Sequence, residues 1–181
     1  MHFVQPLSIL SAILSSALAY NAPKPPTLTL LYSMACDLAP EMSMGAVPTG
    51  QERIIIPIIG GTFNGSRISG KILNVGADWY LVDSRGKGRP DTRYNLQTND
   101  GTYIYVQTEG PTFEDGRTLL RAKFEAPINS TYSWMNEVVG LGVLTVNGTQ
   151  QVLIDMWHAS LAPLSSDSHF TQEPYRTADE L

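Results

Sequence analysis

The chain has 181 residues, of which 43% are hydrophobic, and 12 basic against 17 acidic side chains give it a net charge of −5. No cluster of Lys and Arg is present, which argues against a nucleic-acid-binding protein and against binding to anionic membranes. The sequence also has no phosphate-binding loop, no dinucleotide fingerprint, no Gly-x-Ser-x-Gly motif and no metal-ligand spacing among His2, His158 and His169. We therefore expect no metal ion and no cofactor.

Residues 1–19 are predicted to be a signal peptide. An apolar run closes in Ala17-Leu18-Ala19, the small-x-small pattern of a cleavage site. The run lacks a basic residue, so an uncleaved anchor is the competing interpretation, although Leu7 to Ala19 is short for a bilayer span. Residues 20–26 form a proline-rich lead-in. We expect a mature protein without a membrane span.

Residues 163–181 are predicted to form a flexible polar tail that ends in Ala-Asp-Glu-Leu. This tetrapeptide differs only at its first position from the Lys-Asp-Glu-Leu retention address of the endoplasmic reticulum. The protein is thus expected either in the lumen of the endoplasmic reticulum or, if the match is accidental, outside the cell. Three N-glycosylation sequons, at Asn64, Asn129 and Asn147, agree with a secretory route.

Residues 27–162 are predicted to be one all-β domain, because short β-branched and aromatic runs alternate with turn residues. Strands are expected near 27–38, 52–59, 67–75, 77–83, 91–98, 102–109, 118–126, 137–146 and 150–158. A sandwich or a barrel would accommodate them. The run RIIIPIIGG is apolar on both faces, and Gly60, Gly61, Gly65 and Gly70 suit sharp bends. These features favour a single antiparallel, up-and-down, lipocalin-like barrel of about eight to ten strands.

The sequence contains one cysteine, Cys36. It continues an apolar period-two pattern and has no base nearby in sequence, so a buried core thiol is favoured over a nucleophile.

The middle strands separate into two sets of alternating residues. The apolar set contains Trp79, Leu81, Tyr94, Leu96, Ile104, Val106, Ala122 and Phe124. The polar set contains Asp78, Tyr80, Arg93, Asn95, Gln97, Tyr103, Tyr105, Gln107, Arg121 and Glu125. Either the polar set faces water, or it points inward and lines an aromatic cavity for an organic ligand. In the second case Arg93 needs a partner, and Asp78 is the nearest candidate.

These residues carry a resemblance to a known family. The segments RIIIPIIGGTFNG, GADW, DTRYNLQTNDGTYIYV and YSWMN resemble motifs of the domain-of-unknown-function family 3237, and the resemblance extends from Pro25 to Trp157. It implies one antiparallel barrel with an internal pocket. By position it implies these pocket residues: Arg53, Asp78, Trp79, Arg93, Tyr94, Asp100 and Trp134. The predicted signal peptide and tail resemble the equipment of fungal secondary-metabolite pathway proteins.

Two functions follow as hypotheses. The first is a cofactor-independent isomerase or cyclase for a phenolic or polyketide-like natural product. Asp78 would move a proton, and Arg93 would stabilise the enolate or phenolate. Substrate would be held by Arg53, Trp79, Tyr80, Tyr94, Tyr103, Tyr105 and Trp134. The second is a non-catalytic, lipocalin-like or dirigent-like protein that binds a small hydrophobic or aromatic molecule and needs no Asp–Arg pair.

Overall fold

Ten β-strands and one short 3₁₀ helix make up residues 24–162, the part of the chain that the computed structural model describes. The predicted signal peptide and the predicted tail lie outside these residues. The strands are β1 (Thr27–Leu38), β2 (Met42–Ala46), β3 (Glu52–Asn64), β4 (Ser69–Val82), β5 (Gly88–Arg89), β6 (Asp91–Thr98), β7 (Tyr103–Glu109), β8 (Thr118–Glu125), β9 (Val139–Val146) and β10 (Gln151–Ser160). The 3₁₀ helix is Ser133–Glu137. Residues 24–162 contain no helix long and apolar enough to cross a bilayer.

Eight of the strands close into an up-and-down barrel, which confirms the predicted fold. In the order β1, β3, β4, β6, β7, β8, β9 and β10 each strand pairs antiparallel with the next, and β10 pairs back with β1. Strands β2 and β5 stand outside this cycle, on β3 and β4 respectively. The two strands expected near 67–75 and 77–83 are one continuous strand, β4.

Glycine lets β3 bend where the barrel turns a corner. The register between β3 and β4 shifts between Pro57 and Thr62, and Gly61 lies in this gap with φ +129°. A Cβ on Gly61 would lie 2.1 Å from the backbone oxygen of Ala35 on β1, so only glycine allows the close approach. The bend expected from Gly60-Gly61 is therefore present.

Aromatic and aliphatic side chains fill one end of the barrel. The ring of Tyr32 meets Phe63 and Phe124 edge to face, with centroids 5.5 and 6.4 Å apart. The 3₁₀ helix covers this end and buries Met135 completely. Asn136 fixes the helix, because its side chain accepts from the Ala126 N–H (2.7 Å) and donates to the Ala126 carbonyl (3.0 Å). Among the described residues none covers the opposite end in this way, and a cavity opens there.

Candidate functional site

A cavity of about 620 Å³ occupies the open end of the barrel. This volume is in the range of small-molecule sites. Its apolar walls come from β1, β3, β9 and β10, with Met34, Cys36, Leu38, Ile56, Ile58, Leu144, Val146, Val152 and Ile154. The mouth is bordered by three connections, through residues 39–41, Thr112 with Gly116, and residues 149–150. An organic ligand entering here would meet mainly aliphatic surface.

A polar strip crosses one side of the cavity on β4 and β6. Asp78 and Tyr80 point inward from β4, and Thr92 and Tyr94 point inward from β6. Asp78 is opposite Thr92 in the register, and Gly76 is opposite Tyr94. Opposed residues of an antiparallel pair share a face, so these side chains lie side by side. The strip continues into threonine hydroxyls on the next strands, at Thr108 and Thr118.

Asp78 is a carboxyl group in a largely apolar environment. Burial raises its pKa to about 6, against the lowering effect of hydrogen bonds from the Asp91 N–H and the Thr92 side chain. The Asp91 N–H donates to Oδ1 at 2.8 Å and fixes the orientation of the carboxyl group. A group with a pKa near neutrality exchanges protons readily at physiological pH, which is what a general acid or base requires.

Tyr94 supplies a neutral phenol to the same strip. It is 2% exposed, and its hydroxyl donates to the sulfur of Met34, at 3.7 Å. The buried hydroxyl of Tyr32 lies beside it and makes no hydrogen bond of normal geometry within residues 24–162. Burial raises the pKa of both phenols, so both remain protonated donors. A ligand oxygen is a better acceptor for Tyr94 than the thioether is.

Cys36 is a buried thiol, as predicted, and its side chain lines the cavity wall. Burial, helped by the charge of Asp37, raises its pKa to about 12. The thiol is therefore protonated and unreactive at neutral pH, which suits a wall residue and not a nucleophile.

Arg93 does not pair with Asp78, and the expectation that the two converge is wrong. Arg93 is opposite Ala77 in the register, one residue away from Asp78, so its side chain leaves the opposite face of the sheet. On the outer wall it forms an ion pair with Asp91 at 3.0 Å and lies 5.7 Å from the ring of Trp79. It cannot stabilise charge inside the cavity from there.

Five other predicted site residues also lie outside the cavity. Arg53 and Trp79 are on the outer wall, where the guanidinium of Arg53 donates to the Trp79 carbonyl. Tyr103 is 59% exposed, and Tyr105 follows it on the outer face of β7, opposite Glu125. Trp134 is in the 3₁₀ helix at the closed end, with the guanidinium of Arg67 3.7 Å above its ring.

Asp100, which the resemblance suggested as a pocket residue, belongs to the turn between β6 and β7. Its carboxylate accepts the hydroxyl of Thr98 and the N–H of Thr102. The bond from Thr98 is the main reason why its pKa is lowered. Of the site residues predicted from sequence, the cavity brings together Asp78, Tyr80 and Tyr94.

The sequence offered two interpretations, in which either the apolar set or the polar set of alternating residues points into the barrel. Neither of them describes the whole barrel. In β6, β7 and β8 the apolar set points inward, whereas in β4 the polar residues Asp78 and Tyr80 do. Trp79 is tolerated outside because the guanidinium of Arg93 lies over its ring. The sequence analysis did not identify the threonines of the cavity. Thr92 lies four residues before Leu96 on the same strand, so alternation places both side chains on the same, inward face.

Comparison with known proteins identifies the family of this chain. Residues 26–119, more than half of the chain, match the family described as protein of unknown function DUF3237. The chain belongs to the DUF3237 family. A UPF0311 protein of Rhodopseudomonas palustris strain TIE-1 is 33% identical over 106 residues, which are 58% of this chain and 69% of the relative.

Solved structures share the DUF3237 barrel. A β-barrel-like protein from Acinetobacter baumannii AYE is 37% identical, with a TM-score of 0.68 over 78% of this chain and 99% of its own. An enzyme from Penicillium herquei is 23% identical, with a TM-score of 0.61 over 76% of this chain and 97% of its own. At that identity the likeness concerns the fold. The segment matched to DUF3237 contains Asp78, Tyr80, Thr92 and Tyr94.

Proposed function

We propose that the protein is a cofactor-independent isomerase or cyclase that acts on a phenolic or polyketide-like natural product in a secondary-metabolite pathway. The observation that carries this proposal is a carboxyl group with a pKa of about 6 next to a neutral phenol in an apolar cavity. The name of the Penicillium herquei neighbour describes an enzyme, so the same barrel supports catalysis in at least one other protein.

Asp78 is the proposed acid and base. Its carboxylate removes a proton from carbon next to a substrate carbonyl, and the electron pair of the broken C–H bond moves to the carbonyl oxygen. The resulting enolate attacks an electrophilic carbon of the same molecule and closes a ring. The Asp78 carboxylic acid then returns the proton to the oxygen or carbon that has gained electrons. Substrate and product have the same atoms, so no oxidant or reductant is needed.

Tyr94 takes the role that the sequence suggested for Arg93. Its hydroxyl, joined by that of Tyr80 on the neighbouring strand, donates to the developing enolate or phenolate oxygen. Such donors are more effective in a water-poor site because they are already oriented when the charge forms. The aliphatic walls supply the other requirement of a ring closure, a folded substrate whose reacting atoms are held close together.

Replacement of Asp78 by asparagine tests the chemistry. Aryl 1,3-diketones are suitable probes, because enzyme-catalysed loss of the central proton is measured by NMR as deuterium exchange in D₂O. We expect Asp78→Asn to lower the exchange rate by about 10²- to 10⁴-fold, the usual contribution of a positioned acid or base. Glu125→Gln, a carboxyl-to-amide change on the outer face of β8, is the matched control and should leave the rate unchanged.

A non-catalytic binding protein is the second candidate, and the aliphatic walls of the cavity favour it. Such a protein would bind the same diketones without exchanging their protons. Equal exchange rates for the wild type and Asp78→Asn, with binding retained in both, would support this function and contradict the first.

We also propose that the protein works in the secretory pathway, in the endoplasmic reticulum lumen or outside the cell. The asparagines of the three sequons, Asn64, Asn129 and Asn147, are all exposed. Their accessibility supports glycosylation during passage through the endoplasmic reticulum.

A further inference from the structure

Tyr32 carries a buried hydroxyl that the packing of the barrel does not require. The side chain is fully buried, and within residues 24–162 its hydroxyl has no hydrogen-bond partner of normal geometry. The ring meets Phe63 and Phe124 edge to face, and a phenylalanine ring at this position would make the same contacts. A buried polar group without a partner disfavours folding, so the hydroxyl needs an explanation other than packing.

A β-bulge in β1 turns Tyr32 into the barrel. The register between β1 and β10 shifts between Leu30 and Tyr32, so Leu31 is an extra residue in β1. Before the bulge the even-numbered residues Leu28 and Leu30 are exposed, whereas after it Tyr32 and Met34 are buried. A bulge of this kind re-aims the side chains that follow it, and bulges are frequent next to functional sites.

Gly65 makes room for this bulge. A Cβ on Gly65 would lie 2.0 Å from the Leu31 oxygen and 3.0 Å from the Tyr32 Cα. The backbone just after β3 therefore passes the bulge at a distance that only glycine allows. The inward position of Tyr32 thus depends on an extra residue in one strand and on a glycine beside it.

The hydroxyl of Tyr94 is the neighbour that can accept the Tyr32 proton. Burial is the main reason why the pKa of each phenol is raised, and a hydrogen bond between the two also acts on both, so the two hydroxyls lie within reach of each other. Tyr94 and Met34 line the cavity, and Tyr32 lies behind them. The Tyr94 hydroxyl donates to the Met34 sulfur, which is a weak acceptor. Because a phenol oxygen accepts as well as donates, Tyr94 can connect Tyr32 to a ligand.

We propose that Tyr32 is a positioning residue: its hydroxyl donates to the oxygen of Tyr94 and thereby directs the Tyr94 proton to the substrate oxygen in the cavity. A hydroxyl that accepts a hydrogen bond is also a stronger donor. Both protons stay on the phenols, and the pair stabilises the enolate or phenolate by hydrogen bonding alone. This role rests on the proposed function, which assigns Tyr94 to that oxygen. It narrows the substrates to compounds that place a carbonyl or phenol oxygen where Tyr94 meets Met34.

A double-mutant cycle on the full chain tests whether Tyr32 acts through Tyr94. The measured quantity is the deuterium exchange rate of benzoylacetone, an aryl 1,3-diketone. We expect Tyr94→Phe to lower the rate about 100-fold, as the loss of one oxyanion donor does. Tyr32→Phe should lower it roughly 10-fold while Tyr94 is present, because the remaining donor is weaker and less well oriented. In the Tyr94→Phe background Tyr32→Phe should change the rate by less than about 2-fold.

The acidity of bound benzoylacetone separates this role from the proposed chemistry. It is measured as the ultraviolet absorbance of the enolate against pH in the Asp78→Asn background, where the proposed base is absent. Tyr32→Phe should lower the acid dissociation constant of the bound diketone about 10-fold, because the enolate loses part of its stabilisation. An unchanged exchange rate in Asp78→Asn would contradict the proposed function, whereas this acidity still reports on the two phenols.

The matched control is Tyr103→Phe, which removes an exposed hydroxyl outside the cavity and should change neither quantity. Urea unfolding without substrate should show Tyr32→Phe to be at least as stable as the wild type, since the change removes a buried group that lacks a partner within the described residues. Equal effects of Tyr32→Phe with and without the Tyr94 hydroxyl would overturn the proposal. An unchanged acidity of bound benzoylacetone in Tyr32→Phe would do so as well.

Discussion

Burial of a charged carboxyl group in an apolar barrel disfavours folding. At the scale of single residues, Asp78 is the group that carries this cost. Its charge is compensated by hydrogen bonds from β6 and not by an arginine within the cavity. Proteins keep such groups where function needs them, since an amide or an aliphatic residue of similar size is easier to bury.

The raised pKa of Asp78 makes stability fall as pH rises. The pKa of Asp78 is about 6 in the folded protein, against an ordinary value of 3.8, so the folded state binds this proton more tightly than the unfolded state does. The stability that Asp78 contributes is complete below about pH 4, declines between about pH 4 and 6, and is absent above that range. We expect Asp78→Asn to remove this decline and to stabilise the protein at pH 7.5 by on the order of 2 kcal/mol.

Urea unfolding of the wild type and Asp78→Asn at pH 4.5 and 7.5 measures the effect. The control is Glu125→Gln, whose carboxyl group is on the outer face of β8 and bonds to Lys123. A wild-type curve that loses no stability relative to Asp78→Asn between these pH values would contradict the burial of a charged Asp78.

At the scale of strands, alternation predicts the wall of the barrel but not the site within it. The eight-strand barrel follows from period-two patterns and turn residues, but these patterns left open which face of β6, β7 and β8 points inward. Strands β2 and β5 were missed because MSMGA contains no β-branched or aromatic residue and Gly88-Arg89 is too short to show a pattern. In β4 the sequence analysis placed Asp78, Trp79 and Tyr80 in the pocket together, although alternation puts Trp79 on the face opposite to the other two.

Gly76 connects the course of β4 to the position of the site. Between Ile72 and Gly76 the register of β4 against β6 gains two residues, an even number that keeps Asp78 on the inner face. Gly76 has φ +147°, and a Cβ there would lie 2.4 Å from the Arg93 oxygen and 2.9 Å from the Tyr94 Cα. The close approach of β4 to β6 beside Tyr94 therefore depends on glycine.

Gly76→Ala should separate β4 from β6 beside the polar strip. We expect a loss of about 3 kcal/mol in the free energy of unfolding, since both the backbone conformation and the space are unsuitable for alanine. Gly86→Ala is the matched control: Gly86 also has a positive φ, of +76°, but a Cβ there meets nothing within 4 Å. It should lose only about 1 kcal/mol. Equal losses in urea unfolding would show that backbone conformation alone, and not the contact with β6, requires Gly76.

At the scale of the whole molecule, the two ends of the barrel have different roles. The 3₁₀ helix and the aromatic core close one end, so the proposed substrate would enter and leave at the other, where the cavity opens. The three glycosylation sequons are divided between the two ends of the barrel. Asn64 and Asn129 belong to the closed end, whereas Asn147 is in the turn between β9 and β10, two residues before Thr149 at the cavity mouth.

Expression through a eukaryotic secretory pathway should give a protein that loses mass on treatment with peptide N-glycosidase F. The three asparagines are exposed and need no unfolding to be modified. A glycan on Asn147 would partly screen the mouth, so Asn147→Gln should increase the association rate constant of an aryl diketone by about 2- to 10-fold. Asn129→Gln at the closed end should leave that rate unchanged. A secreted protein with no change in mass would contradict glycosylation of these sites, and equal rates in both variants would place the Asn147 glycan away from the entry path.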